Sequence, residues 1–130
     1  DIVMPYFEQD IFYKSVESTS YLKYLWSKYK LNKSYKSTKD LLEKYDLDAF
    51  IGLTRGPAWK INYDGGDYVA MNDSPQFGSG GYAAHNGMPH ITIPYFEINK
   101  FPVGISIIGD RWSDKAIIEY ASAIEKSRYN

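Results

Sequence analysis

The run "HITIPYFEINKFPVGISIIGDRWSDKAIIEYASAIE", residues 90–125, decides how this chain folds. It opens with two β-branched runs, "HITIP" and "PVGISIIG", and β-branched residues suit the pleated, half-buried surface of a sheet. Between them, "YFEINKF" reads as a longer connection joining neighbouring strands. After Gly109, Ser113 stands where an N-cap side chain accepts a backbone N–H, and Ile117, Ile118, Ala121 and Ile124 recur at helical spacing. The pattern predicts strands at residues 90–94 and 102–109 and a helix over 113–127, so the chain closes as helix on sheet.

Upstream, "DAFIGL" from Asp48 is a short apolar run without helical period, bounded by Gly52, Arg55, Gly56 and Pro57. It predicts a buried strand over 48–53 in the same sheet. The next thirty or so residues are rich in Gly, Asn, Asp, Ser and Pro, with a weak helical hint at Tyr82 to Asn86. A loop of that length in a compact domain is usually functional, which makes it the place to look for a pocket.

Before residue 47 the texture is helical. Pro5 suits a first helical turn, and Phe7, Ile11 and Phe12 share one face. Ser18 to Ser20 offer caps for a helix over 20–30 whose stripe is Tyr21, Leu22, Leu25, Trp26 and Tyr29, expected to cover the sheet. Lys28, Lys30, Lys33 and Lys36 then read as a polar connection, and Ser37 with Asp40 as a capping box opening a further helix through Leu41, Leu42 and Tyr45. The lysines form a solvated face more simply than a site for an acidic partner. The expected organisation is one domain-sized unit, with a helical layer at 1–46 and strands, pocket loop and final helix at 47–130.

A net charge of −1 gives no electrostatic footprint for nucleic acid, and lysines and acids are interspersed. Thirteen tyrosines are present, and packing at helix edges explains them more cheaply than base stacking. The absence of cysteine removes disulfides, thiolate metal sites and a cysteine nucleophile together. No apolar run is long enough to span a membrane and the N-terminus lacks the basic, apolar, small-residue order of a signal peptide, so no membrane partner is expected; the compartment stays open, with cytoplasmic favoured. Beginning at Asp1 and running straight into "DIVMPYFEQDIF", the chain reads like the middle of a protein, and a fragment is expected.

The chemical candidates are few. Gly78-Ser79-Gly80-Gly81 has the composition of a nucleophile loop, and Ser79 with His85 or His90 and Asp73 or Asp110 makes a triad on paper. Neither spacing enforces contact. The two histidines share no tight ligand pattern, and neither a metal nor a cofactor is expected. Asp73 and Ser74 in "NDSP" are ordinary turn chemistry before they are substrate ligands.

Four segments, "MPYFEQDIF", "LDAFIGLTRGPAW", "GMPHITIP" and "FPVGISIIGDRWSDKAIIEYASAIE", together resemble the C-terminal part of the amidase signature family of hydrolases, in order and over nearly the whole chain. The "GPAW" element is more similar to free amidases of the peptide-amidase type than to the A subunit of the tRNA-dependent amidotransferase. The resemblance implies an α/β/α fold with a large mixed sheet flanked by helices, and hydrolysis of small-molecule carboxylic amides. It also implies that the serine nucleophile, a second serine and a lysine base all lie upstream of Asp1, in a missing N-terminal part of the same protein. Ser79 is then an N-cap or loop residue, and this chain alone is inactive. In the family's arrangement the loop after "DAFIGL" faces the active-site side of the sheet, where α/β folds bind ligands, so Thr54, Pro57 and Trp59 are the expected substrate-binding residues. Trp59 as a plain loop anchor is the alternative there. For the whole chain the alternatives are a stand-alone α/β binding or assembly module and part of an amidotransferase A subunit.

Overall fold

Strand β3 (Phe101–Gly109) runs through the middle of a three-stranded antiparallel sheet, between β1 (Ala49–Leu53) and β2 (His90–Ile98). The computed structural model describes residues 10–17, 20–66, 69–70 and 78–128. The remaining elements are α1 (Asp10–Val16), α2 (Tyr21–Tyr45), α3 (Gly80–Asn86) and α4 (Asp114–Ser127). Among the described residues no helix is long and apolar enough to cross a membrane.

The register sets Ile107 opposite Ile51 and Ile91, and Ile108 opposite Phe50 and His90. Successive strand side chains point to opposite faces, so each face receives its own helices. On one face Ile93 and Ile107 pack with Ile117 and Ala121 of α4, flanked by Ile91, Ile105 and Ile124. On the other, Ile108 packs with Leu42 of α2, Ala83 of α3 and Met88, flanked by Tyr35 and Phe50. The result is the expected α/β/α layering. β3 runs antiparallel to both of its neighbours, and a mixed sheet would need strands beyond the three described.

Three local expectations are corrected. The segment "YFEINKF" is not a longer connection: both strands continue through it and meet at a two-residue turn, Asn99 and Lys100, with φ of 53° and 68°. Two consecutive left-handed residues are what a tight hairpin turn requires. The ladder slips between Pro94 and Phe96, next to a proline that has no N–H to donate. Secondly, α2 is continuous from Tyr21 to Tyr45, with no break at the lysines. Lysine is a good helix former, and Ser37 Oγ donates to the Lys33 carbonyl, back-bonding instead of opening a capping box. Thirdly, the stripe at 21–29 does not cover the sheet. Trp26 is 58% exposed and Tyr21, Leu22 and Tyr29 also face outward, whereas Thr38 and Leu42 are the buried residues of α2.

Ser20, Ser79 and Ser113 do occupy N-cap positions, yet none makes a side-chain capping bond. The oxygen of Ser113 accepts nothing from its helix, its hydroxyl donating to the Asp110 carbonyl at 2.7 Å. The readings at Pro5 and Phe7 lie outside the described residues, and Phe12 is exposed on α1.

One polar cluster ties the layers together. Tyr35 OH donates to Asp110 Oδ1 at 2.6 Å, and the same oxygen accepts the Arg111 backbone N–H at 2.7 Å. The Arg111 guanidinium lies 3.7 Å from the centre of the Tyr35 ring. Its Nε and Nη2 both donate to the Asn86 carbonyl, at 2.9 and 2.8 Å, meeting the carbonyl end of α3 with positive charge.

Two consequences can be measured. The bond to Asp110, then burial, then the Asp110 charge raise the Tyr35 phenol above its ordinary 10.0, because each disfavours the phenolate. The unfolded chain therefore releases this proton first as pH rises. The stabilisation is fully present below about pH 10 and is lost as pH climbs through the folded-state value. Urea melts of the parent and Tyr35→Phe should converge above that pH; a constant difference across it would refute the linkage. At Gly109, an added Cβ would sit 2.1 Å from Ser113 Oγ and 2.5 Å from Ile117 Cγ2. Gly109→Ala should cost about 1–3 kcal/mol through overpacking of α4 on β3, read as a lowered urea midpoint.

Candidate functional site

The second face of the sheet changes character along its length. Near Leu42 it is apolar, but further along the strands its residues are small and polar: Gly52 and Thr92 both stand opposite Ser106, and Gly104 stands opposite Pro94. The Thr54 N–H donates to the Gly104 carbonyl at 2.9 Å and extends the β1–β3 ladder by one residue. Strand alternation thus brings His90, Thr92, Ser106 and Thr54 onto one patch.

These four side chains bond in sequence. Ser106 Oγ donates to Thr54 Oγ1 at 2.9 Å, and Thr54 Oγ1 donates to Thr92 Oγ1 at 3.3 Å. His90 Nε2 lies 2.6 Å from Ser106 Oγ. With the serine's one proton directed at Thr54, the histidine must donate, which places a hydrogen on Nε2. Thr92 Oγ1 lies 3.5 Å from the same nitrogen and completes the ring. Gly104 makes room for it, since a Cβ there would come within 2.7 Å of Thr92 Cγ2 and 3.1 Å of Thr54 Oγ1.

A serine and histidine at 2.6 Å look like a nucleophile and its base, but Ser106 is 0% exposed on the sheet floor. A nucleophile must reach substrate, so this pair is structural. The serine singled out by sequence behaves differently again. Ser79 Oγ donates to the Leu53 carbonyl at 2.6 Å and its N–H donates to the Thr54 carbonyl at 3.1 Å, pinning the start of α3 to the end of β1. The hydrogen bonds of His90 go to Ser106 and Thr92, His85 stands exposed on α3, and Asp110 holds Tyr35. Among the described residues the paper triad is not assembled. Asp73 and Ser74 lie outside the described residues, and among the described residues no group of three or more acids and histidines gathers to hold a metal ion.

Beside the polar patch opens a cavity of about 380 Å³, lined by Thr54, Arg55, Gly56, Ala58, Trp59, Pro102 and Gly104. The segment 54–59 folds over the end of β3 to form it, with Arg55 bridging to Gly78. The Arg55 guanidinium lies 4.7 Å from the Trp59 ring centre, a cation–π stack. Trp59 also walls a second hollow of about 540 Å³ with Lys60, Ile61, Asn62, Tyr63, Asp64 and Ala70. Of the residues expected to bind substrate, Thr54 and Trp59 line the smaller cavity, and Pro57 sits half-buried in the same segment outside its lining. Arg55, His90 and Ser106 were not expected there. A signal for the last two existed, since His90, Thr92 and Ser106 take the polar positions of strands that are otherwise apolar.

Comparison with known proteins bears on this arrangement. Two crystal structures, of PAM12A and of the peptide amidase PAM in complex with the competitive inhibitor chymostatin, match 95% of the chain at TM-scores of 0.73 and 0.68, each with 26% identity. The chain has the fold of the amidase signature family. It covers 25% of each peptide amidase chain, a C-terminal portion. A 45-residue segment is also 44% identical to the A subunit of the glutamyl-tRNA(Gln) amidotransferase of Thermotoga maritima, spanning 34% of this chain and 10% of that protein. No family model matches.

The Ser79 geometry makes a clear forecast. With its proton held by the Leu53 carbonyl, Ser79 should not react with a fluorophosphonate probe. Ser79→Ala should remove one hydrogen bond, about 0.5–1.5 kcal/mol in a urea melt. Stoichiometric labelling at Ser79, abolished by His85→Ala or His90→Ala, would contradict the assignment.

Proposed function

We propose that this chain forms the C-terminal part of an amidase that hydrolyses carboxylic amides through a serine nucleophile lying upstream of Asp1. The observation that carries the reading is that 95% of the chain superimposes on one quarter of a peptide amidase. In this reading the nucleophile, the second serine and the lysine base belong to the upstream part, as the family resemblance implies. The present residues supply later strands, a helical layer over 1–46 and one wall of the substrate pocket.

That wall is the segment holding Thr54, Pro57 and Trp59. The indole offers a wide apolar face against which the acyl side chain of an amide can lie. Outward-facing apolar residues elsewhere support a larger assembly. Tyr21, Leu22, Trp26 and Tyr29 of α2, Ile51 of β1 and Trp112, which is 94% exposed, would pack against the upstream part of the same protein. The 44% identity to an amidotransferase A subunit over 45 residues supports a second reading, a portion of such a protein.

The test is hydrolysis of small carboxylic amides by the full reading frame that contains this sequence, set against residues 1–130 alone. Turnover is expected from the first and none from the second. Within the active protein, Trp59→Ala should cost about 1–3 kcal/mol in kcat/KM for bulky amides and much less for small ones. Equal losses for all substrates with a lowered Tm would assign Trp59 to loop anchoring. Glutamine-dependent amide transfer requiring a partner protein would favour the second reading.

A further inference from the structure

Trp112 combines two features that pull against each other. Its backbone sits at φ 70°, in the left-handed region, and its side chain is 94% exposed. A bulky residue is strained in that conformation, for which glycine and asparagine are suited, as at Gly87 and Asn99 with φ of 61° and 53°. An indole so open gives the fold little packing to offset the strain. The turn is held firmly from both sides. The N–H and Oγ of Ser113 both donate to the Asp110 carbonyl, at 3.1 and 2.7 Å, and the Arg111 N–H donates to Asp110 Oδ1 at 2.7 Å. Asp110 is in turn fastened to Tyr35, and the Arg111 guanidinium to the Asn86 carbonyl. Strain that the surroundings enforce in this way is a mark of functional positions.

Beside the indole lies a hollow of about 410 Å³, lined by Gly87, Met88, Pro89, Arg111, Trp112 and Asp114. Tryptophan, arginine and methionine are enriched where proteins meet, and an aromatic anchor next to a recess is how such contacts concentrate their energy. A turn that fixes the anchor before docking lowers the ordering cost of association. The portion matched by this chain is 25% of each peptide amidase, so most of a protein of that kind lies outside it and is available to cover this surface. We propose that Trp112 anchors a docking surface for the upstream part of the same protein. Its indole enters an apolar recess of that part, and an apolar side chain of that part fills the hollow beside Met88 and Pro89. The inference deepens the reading in which Trp112 meets the upstream part, and rests on it. It adds that the strained turn serves docking, so the stability of this chain and its assembly make opposite demands on position 112.

The test compares the full reading frame with the 130-residue chain. In hydroxyl-radical footprinting read by mass spectrometry, Trp112 should be oxidised at least about fivefold more slowly in the full protein, as befits a desolvated anchor. Trp112→Asn and Trp112→Gly, residues at ease in the left-handed region, should raise the urea midpoint of the 130-residue chain by about 0.2–0.5 M. The same two variants should lower the midpoint of the full protein, and Trp112→Phe, which keeps an aromatic anchor, should lower it less. If the 130-residue chain does not fold alone, the full protein unfolded in urea is the reference for the footprint, and the drop in the full protein's midpoint carries the stability test. Equal oxidation in both forms, or shifts of the same sign in both, overturns the anchor. Protection in the 130-residue chain that grows with its concentration assigns the surface to a second copy and also overturns it. Amide hydrolysis by a full protein whose Trp112 stays reactive leaves the amidase reading standing without the anchor. A reading frame that does not continue upstream of Asp1 removes both.

Discussion

Everything in this structure depends on β3 being buried on both faces. A central strand packed between helix layers has no solvent side, so its residues must satisfy two cores at once. Ile107, 1% exposed, meets α4, and its neighbour Ile108 meets α2 and α3. Full burial of such a side chain is worth about 1.5–3 kcal/mol, so the pair anchors both layers. A one-residue slip in register would bring Ser106 under α4 and turn Ile107 toward the polar patch, losing both cores and the hydroxyl ring together. The core and the candidate site are thus held by the same strand register.

The distribution of apolar surface is uneven. α2 is roughly 37 Å long at the standard helical rise, but its buried residues are Thr38 and Leu42, near its C-terminal end. There it is fastened through Tyr35 to Asp110 and through Thr38 to the Tyr82 hydroxyl at 2.7 Å. Its other half carries stacked aromatics, Tyr21 on Tyr24 and Trp26 on Tyr29, facing outward. At the sheet, β1 is an edge strand with Ile51 62% exposed. Large apolar side chains in such positions suit a surface made to be covered. The peptide amidases that share this fold are about four times the length of the aligned portion, which is consistent with such covering.

The hydroxyl ring shows why residue types alone do not identify a catalytic group. Ser106 and His90 have the separation of a working pair, yet the serine is sealed and its proton is directed at Thr54. Ser79 has the glycine-rich surroundings of a nucleophile, and its proton is held by the Leu53 carbonyl. What these hydroxyls achieve is the junction of β1, β2, β3 and α3, from which the segment carrying Arg55 and Trp59 departs. The cavity is formed by that departure and needs a rigid floor to keep its shape.

The amino-acid sequence by itself determined the three strands, the final helix and the resemblance to amidases, because these rest on local signals: β-branched runs, apolar residues at helical spacing and family segments in order. It also placed Thr54 and Trp59 in one loop, and both line the cavity. Only the tertiary structure decided the rest. Whether α2 broke at its lysines, and which of its faces met the sheet, depended on Tyr35, Thr38 and Leu42 finding partners more than forty residues away, such as Tyr82 and Asp110. The Asn99–Lys100 turn carried none of the usual glycine signal, and the pairing of the flanking strands imposed it. The partner of His90 could not be chosen from spacing, since Ser79 and Ser106 lie on either side of it in sequence. Strand register brought Ser106 to the histidine, and a backbone carbonyl claimed Ser79. A side chain's partner is a property of register and packing, and neither is written in any local stretch of the chain.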